Sequence, residues 1–151
     1  MARVTVLETD YKIAAYLAFR TAREFRKGTE LLDDASLSFP VMMNITFACE
    51  LYMKAISIWQ AKSQEVAKTH LLCELFQTLP TNMQTELIAK CDPEHWDEYM
   101  DDSSDAFRQW RYFYEKDHVM FGHIGWLYTL ADELEQICTS NISIKEVLCD
   151  E

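Results

Sequence analysis

Residues 38–61, SFPVMMNITFACELYMKAISIWQA, predict one long helix that is apolar on most of its circumference. Pro40 falls in the first turn, where the absence of a backbone N–H is tolerated. Apolar residues recur at the helical period in two stripes. The first contains Ile45, Ala48, Tyr52, Ile56 and Trp59, and the second contains Phe47, Leu51 and Ile58. A helix of this kind belongs in the middle of a bundle.

Two charged residues lie within or beside the second stripe. Glu50 and Lys54 are one turn apart, in the Glu-to-Lys order that favours an ion pair. Charged groups on a buried face need each other or another partner. We interpret these two residues as a buried structural pair rather than as catalytic groups.

The composition favours a helical, globular chain. Of the 151 residues, 49% are hydrophobic and 13% are aromatic, which is typical of a folded protein rather than a disordered one. Glycine and proline each occur only three times, too few for the turns of a many-stranded sandwich or barrel. We predict a single all-α domain over residues 1–151, folded as an up-and-down antiparallel bundle of six or seven helices, with an acidic tail over residues 139–151.

The remaining helices are predicted from periodicity, caps and stops. The first spans residues 9–27 and ends at Gly28, with a loop after it. Its basic stripe, interpreted as a solvated face, contains Arg20, Arg23 and Lys27, and Arg26 lies nearby. Later helices are predicted over residues 68–80, 92–101 and 122–138. Two more are predicted to begin at residue 81, with a capping box of Thr81 and Gln84, and at residue 104 or 105, the second of these running through Arg111. Helix 38–61, the Arg111 helix and the closing helix are expected to supply most of the core. The tail is expected to fray or to dock through Val147 and Leu148.

Charge and cysteine usage restrict the function. Residues 1–90 carry ten basic and ten acidic side chains, whereas residues 91–151 carry four and fifteen, which places the whole net charge of −11 there. This weighs against broad nucleic-acid binding, which requires phosphate neutralisation, but not against a small local site. Five scattered cysteines without a signal peptide favour a reducing cytoplasm. No run approaches the length of a membrane span, so we expect a cytoplasmic protein.

Four segments in order carry a family resemblance. They are FACELYMKAIS, KTHLLCELFQTLP, AFRQWRYFYE and an amphipathic closing helix. This arrangement resembles the HEPN family of small helical domains over residues 41–138. In that family an E-x-x-x-K pair on a central helix precedes an H-x-L-x-x-L-F-like segment and an arginine-bearing helix. The matching residues are Glu50 and Lys54, then His70 with Leu72, Leu75 and Phe76, then Arg111.

The resemblance implies an antiparallel helical bundle that is often dimeric and recurs in toxin–antitoxin and anti-phage systems. Many members are metal-independent RNases with an R-x(4–6)-H signature, which falls here on Arg111 and His118. A guanidinium can hold the scissile phosphate, and a neutral imidazole can take the 2′-hydroxyl proton. Tyr112 departs from this pattern, since nuclease members usually carry a polar residue there, and Glu115 and Asp117 place negative charge in the interval. WRYFYE is closer to HEPN relatives for which catalysis is not established.

Each candidate also has a structural interpretation. Arg111 can form a salt bridge with Glu50 or stack among Trp110, Tyr112 and Tyr114. His118 can be an ordinary loop or helix-end residue, and His70 is expected to cap or pack at the start of its short helix. The acidic run DPEHWDEYMDDSSD is interpreted as a solvated face, and we expect no metal. No glycine-rich nucleotide loop is present, and we expect no cofactor.

Two hypotheses of different class follow. In the first, the chain is a HEPN-like homodimer that contacts RNA or a nucleotide in a groove around Arg111, with RNA cleavage as a narrower form of the hypothesis. In the second, it is a non-catalytic helical interaction module that binds a partner protein encoded nearby, such as a nucleotidyltransferase-like chain.

Overall fold

A computed structural model describes residues 10–35, 38–66, 68–104 and 123–148 of the chain. Within these ranges the protein is built from seven α-helices and one short 3₁₀ helix, with no β-strand. The α-helices are α1 (Asp10–Asp34), α2 (Ser38–Ala61), α3 (Leu72–Thr78), α4 (Thr81–Lys90), α5 (Trp96–Ser104), α6 (Ile124–Asn141) and α7 (Ile144–Leu148). The predicted all-α helical bundle is therefore confirmed. The predicted Arg111 helix lies outside the described residues.

Helix α2 has the predicted bounds and occupies the centre of the described bundle. Its fully buried residues include Ile45, Ala48, Tyr52 and Ile56 from the first predicted stripe. At its end Lys62 takes a left-handed φ of 53°, and the Ser63 N–H bonds to the Ile58 carbonyl. This is the Schellman arrangement that commonly closes helices.

Helix α2 is also apolar enough to resemble a membrane span. By length and composition, its Phe39–Ala61 portion could cross a bilayer, which corrects the expectation that no segment is long and apolar enough. However, 72% of its most apolar window is buried inside the protein, as in the core helix of a soluble protein. Nothing in the described residues clearly marks a membrane protein.

Helix α1 is longer than predicted, because it continues through Gly28 to Asp34. Glycine inside a helix costs only about 1 kcal/mol relative to alanine, so a glycine alone does not end a helix. Beyond it, the buried Thr29 hydroxyl donates to the Phe25 carbonyl, and Arg26 pairs with Glu30 one turn on. Local contacts and packing therefore carry the helix through most of the segment predicted as a loop.

Three aromatic contacts fix the direction of α1 against α2. Tyr11 meets Trp59, Phe19 meets Tyr52, and Phe25 meets Phe47, so the two helices run antiparallel.

Ion pairs and thiol contacts place α6 against both helices. Arg26 reaches Asp132 and Arg23 reaches Glu135, so α6 runs antiparallel to α1 and in the same direction as α2. The thiol of Cys49 on α2 lies 3.5 Å from the Leu127 carbonyl of α6.

Several predicted bounds of the shorter helices are wrong. Thr81 is the first residue of α4 after Pro80, so the predicted capping box does not form. Gln84 instead donates to the Leu79 carbonyl at 2.7 Å, at the end of α3. Helix α5 begins at Trp96 rather than residue 92, because Asp92 takes a left-handed φ of 58° and a turn follows.

The closing helix α6 runs three residues beyond its predicted end, and a separate short helix α7 follows it. Val147 is half-buried but Leu148 is exposed, so the predicted docking through Leu148 is wrong.

The described core is broader than predicted. It forms one continuous cluster that includes α2 and α6, but α1 and the short helices also contribute. Examples are Ala15, Phe19 and Ala22 from α1, Leu72 and Leu75 from α3, Leu87 from α4, and Trp96 and Met100 from α5.

Candidate functional site

The predicted site residues fall into two groups. Arg111, His118, Trp110, Tyr112 and Tyr114 lie within residues 105–122, outside the described residues. Their proposed contacts therefore stay predictions. The other three, Glu50, Lys54 and His70, are described and lie together.

Glu50 is the centre of this group. Its side chain, on the central helix α2, is 4% exposed, yet two cationic or protonatable groups reach its carboxylate from the surface side. Lys54 Nζ lies 3.8 Å from Oε2, and His70 Nδ1 lies 2.9 Å from Oε1. The predicted Glu50–Lys54 pair is confirmed, and His70, which was not predicted to join it, completes the group.

His70 does not have the predicted role of a helix cap. Helix α3 begins at Leu72 with Leu71 as its N-cap, and that cap has no side-chain hydrogen bond. The side chain of His70 is 74% exposed, and its Nδ1 contacts Glu50. The contact joins two positions 20 residues apart in sequence, between α2 and the segment that precedes α3.

The electrostatics of Glu50 reflect two opposing effects. Burial raises the pKa of the Glu50 carboxyl above its ordinary value, while the charge of Lys54 and the hydrogen bond from His70 lower it. The burial effect is the larger. Because an ionised carboxylate at this depth requires counter-charges, Lys54 and His70 are the groups that allow Glu50 to ionise.

A second cluster joins α5 to α6 through three stacked rings. Tyr99 stacks with His95 at a centroid distance of 5.3 Å and with His123 at 4.0 Å. His123 Nε2 lies 2.8 Å from an oxygen of Asp102, and His95 Nδ1 lies 3.1 Å from one of Asp92. The side-chain hydrogen bond and charge of Asp92 raise the pKa of His95. We call these five residues the ring cluster.

The ring cluster borders a cleft of about 240 Å³. Its lining includes Cys91, Tyr99, Gly125 and Trp126, and the Trp126 indole N–H donates to the Cys91 carbonyl across 2.8 Å. Among the described residues, no group of three or more His, Cys, Asp or Glu is arranged to hold a metal ion.

The basic stripe of α1 is exposed, as predicted, whereas the neighbouring Arg26 is largely buried. Arg20 forms an exposed pair with Glu24, but Arg26 is 14% exposed and bonds to Asp132 of α6. Its guanidinium also lies 4.5 Å from the ring centre of Tyr128. Several of the basic side chains on the described surface are therefore neutralised by carboxylates of the same chain.

Three of the thiols are buried and therefore poor nucleophiles. Burial raises the pKa of Cys91 to about 12 and raises those of Cys49 and Cys138 further. A thiol attacks as its thiolate, so these side chains have a packing role.

Comparisons with protein-family models, curated proteins and solved structures gave no match for this chain.

Proposed function

We propose that this chain is a HEPN-like cytoplasmic domain that contacts RNA or a nucleotide in a groove around Arg111. The observation that carries the proposal is the Glu50–Lys54–His70 group, in which a buried carboxylate of the central helix holds an exposed imidazole at the surface. These are three of the motif residues that carry the HEPN resemblance. The helical fold is consistent with the same resemblance.

The charge distribution supports a small site rather than an extended nucleic-acid surface. Arg23 and Arg26 of α1 pair with Glu135 and Asp132 of α6, so two of the basic groups on α1 are already neutralised. Extended phosphate contact needs unneutralised basic groups along one face. The proposed contact is therefore local and depends on Arg111.

The test is the binding of a short single-stranded RNA, measured by fluorescence anisotropy between about 50 and about 200 mM salt. Affinity should fall as salt rises, and Arg111→Ala should weaken binding about tenfold and reduce the salt slope by about one phosphate contact. Arg20→Ala is the matched control, because it removes an equal charge from an exposed pair on α1. Equal binding curves for wild type and Arg111→Ala would overturn the proposal.

RNA cleavage is the narrower form of the proposal. Purified protein should leave 2′,3′-cyclic phosphate ends, and Arg111→Ala and His118→Ala should each abolish them. Undiminished cleavage in both variants would overturn the catalytic roles assigned to Arg111 and His118. The proposed active unit is a homodimer, which light scattering across protein concentration would detect.

A second candidate is a non-catalytic module that binds a partner protein, such as a nucleotidyltransferase-like chain encoded nearby. The acidic surface of α5 favours it, since Asp97, Glu98, Asp101 and Asp102 are all exposed. Such a surface fits a basic partner better than a phosphate backbone. Stable co-purification with the product of a neighbouring gene, together with no RNA binding at low salt, would favour this candidate.

A further inference from the structure

Among the described residues, the imidazole of His70 is engaged at Nδ1, and no hydrogen bond is made at Nε2. We infer that Glu50 fixes the proton of neutral His70 on Nδ1, and that the free Nε2 accepts the 2′-hydroxyl proton of a bound ribonucleotide. This inference rests on the proposed function, and it names His70 in place of His118 as the acceptor of the 2′-hydroxyl proton. Cleavage that persists in His118→Ala but is lost in His70→Gln would support it, and the reverse pattern would overturn it.

The distances support this placement of the proton. When Glu50 is ionised it only accepts hydrogen bonds, so its 2.9 Å contact with Nδ1 then requires a proton on Nδ1. Lys54 Nζ is farther from Nδ1, at 3.4 Å, and is itself only a donor, so it cannot bond to a protonated Nδ1. A neutral ring with its proton on Nδ1 carries its lone pair on Nε2.

Burial determines which of the two groups a ligand can reach. Glu50 is nearly enclosed, whereas the side chain of His70 is 74% exposed, so a ligand can reach the imidazole but not the carboxylate behind it. A carboxylate that orients an imidazole and stabilises its protonated form is the arrangement used in hydrolytic triads. Glu50 is therefore the positioning residue, and His70 is the group that meets the substrate.

The chemical step balances without a metal or a further reactant. The 2′-hydroxyl proton moves to His70 Nε2 while the 2′-oxygen bonds to phosphorus. The bond from phosphorus to the 5′-oxygen breaks, and the leaving oxygen takes a proton from water. The resulting hydroxide then recovers the proton held by His70.

Lys54 supplies a charge that suits this step. When His70 is neutral, the charges of Lys54 and Glu50 cancel, and proton transfer to His70 leaves the group with one net positive charge. Negative charge develops on the phosphoryl oxygens at the same moment, so the group becomes attractive as the transition state forms.

His95 offers a matched control within the same chain. Its Nδ1 also contacts a carboxylate, that of Asp92 at 3.1 Å, and its ring is also accessible. However, Asp92 is exposed and lies only three positions away, so no buried group holds that ring. His95→Gln removes an imidazole–carboxylate pair without touching the Glu50 group.

The first measurement is independent of activity. Two-dimensional ¹H–¹⁵N NMR of the ring nitrogens should show neutral His70 with its proton on Nδ1, and Glu50→Leu combined with Lys54→Met should abolish that preference. A wild-type ring with its proton on Nε2 would overturn the inference.

The second measurement compares cleavage with binding. His70→Gln should lower the cleavage rate about 10²- to 10⁴-fold, the usual contribution of a positioned base, while RNA affinity stays within about twofold. His95→Gln should retain the wild-type rate. A melting curve for each variant confirms folding.

The outcomes separate the two proposals. If RNA binds with the expected salt dependence but His70→Gln cleaves as wild type does, the role of His70 is overturned and the proposed function stands. If wild type binds RNA without cleaving it, the role of His70 is likewise overturned. If wild type does not bind RNA, the proposed function falls and the substrate assigned to His70 falls with it.

Discussion

Arg26 on α1 and Asp132 on α6 are joined by a contact of 3.1 Å between Nε and Oδ1, although 106 positions separate them in the sequence. The same guanidinium bonds to Glu30 and lies over the ring of Tyr128. One arginine therefore ties the first described helix to the long closing helix. It is largely buried, and in this it differs from the exposed basic stripe of Arg20, Arg23 and Lys27 beside it.

Arg26→Ala is expected to lower the free energy of unfolding by about 1–2 kcal/mol, because it removes the pair with the half-exposed Asp132 and the contact with the Tyr128 ring. Urea denaturation followed by circular dichroism would measure this. Arg20→Ala, which removes an exposed pair, should change stability by no more than about 0.5 kcal/mol. Equal effects in the two variants would show that the contact between α1 and α6 contributes nothing.

Glu50 is expected to make stability depend on pH. Its folded-state pKa is raised above the ordinary value of 4.5 by burial, so the folded protein binds more protons than the unfolded chain above that pH. The contribution is fully present below pH 4.5 and is lost as pH rises through the folded pKa.

As pH rises through the folded pKa of Glu50, the free energy of unfolding of wild type should therefore fall relative to that of Glu50→Gln. Parallel urea titrations across pH would show it, with Glu24→Gln, an exposed carboxylate on α1, as the control for the loss of one charge. If the free energy of unfolding of wild type minus that of Glu50→Gln rose with pH, the raised pKa assigned to Glu50 would be contradicted.

The pKa of His95 is expected to fall toward 6.5 in Asp92→Asn. The hydrogen bond and charge of Asp92 raise it in the wild type, so its stabilising contribution is complete below pH 6.5 and is lost as pH rises through the folded pKa. Asparagine tolerates the left-handed backbone of residue 92, so the substitution changes charge rather than conformation. NMR titration of the His95 ring protons would test this, and an unchanged midpoint would refute it.

Leu134→Ala is expected to cost about 2–5 kcal/mol, because this side chain is fully buried where α6 enters the core. The control is Leu31→Ala on α1, where the leucine is 73% exposed and the cost should stay within about 0.5 kcal/mol. Thermal and urea unfolding would give both values. A small loss at Leu134 would mean that the core around α6 is loosely packed.

The elements that were predictable from sequence are those governed by local pattern. Helix α2 was placed correctly because its periodicity, its early proline and its apolar flanks all act within one segment. The end of α1 was missed because Gly28 signals a stop only when nothing beyond it favours the helix, and here Thr29 and Glu30 do. The start of α5 was missed because the left-handed backbone of Asp92 leaves no unambiguous mark in the sequence.

In the candidate site, too, contacts set by local sequence pattern were predictable and contacts between distant segments were not. The Glu50–Lys54 pair was predictable, since a charge on an apolar stripe requires a partner and the nearest lies one turn away. The contact with His70 was not, because it depends on how the chain between α2 and α3 returns to the level of Glu50. The only available signal was that a buried carboxylate needs more than one counter-charge or hydrogen bond. The positions of Arg111 and His118 relative to this group lie outside the described residues.

The burial of α2 on most of its sides has a consequence for biosynthesis. Its covering helix α6 follows it only after residues 62–123, so a ribosome exposes the apolar flank of α2 well before α6 emerges. During that interval a nascent chain is prone to aggregate or to be held by a chaperone. Truncated translation products that end before residue 124 should therefore be insoluble or chaperone-bound, whereas the full-length chain is released.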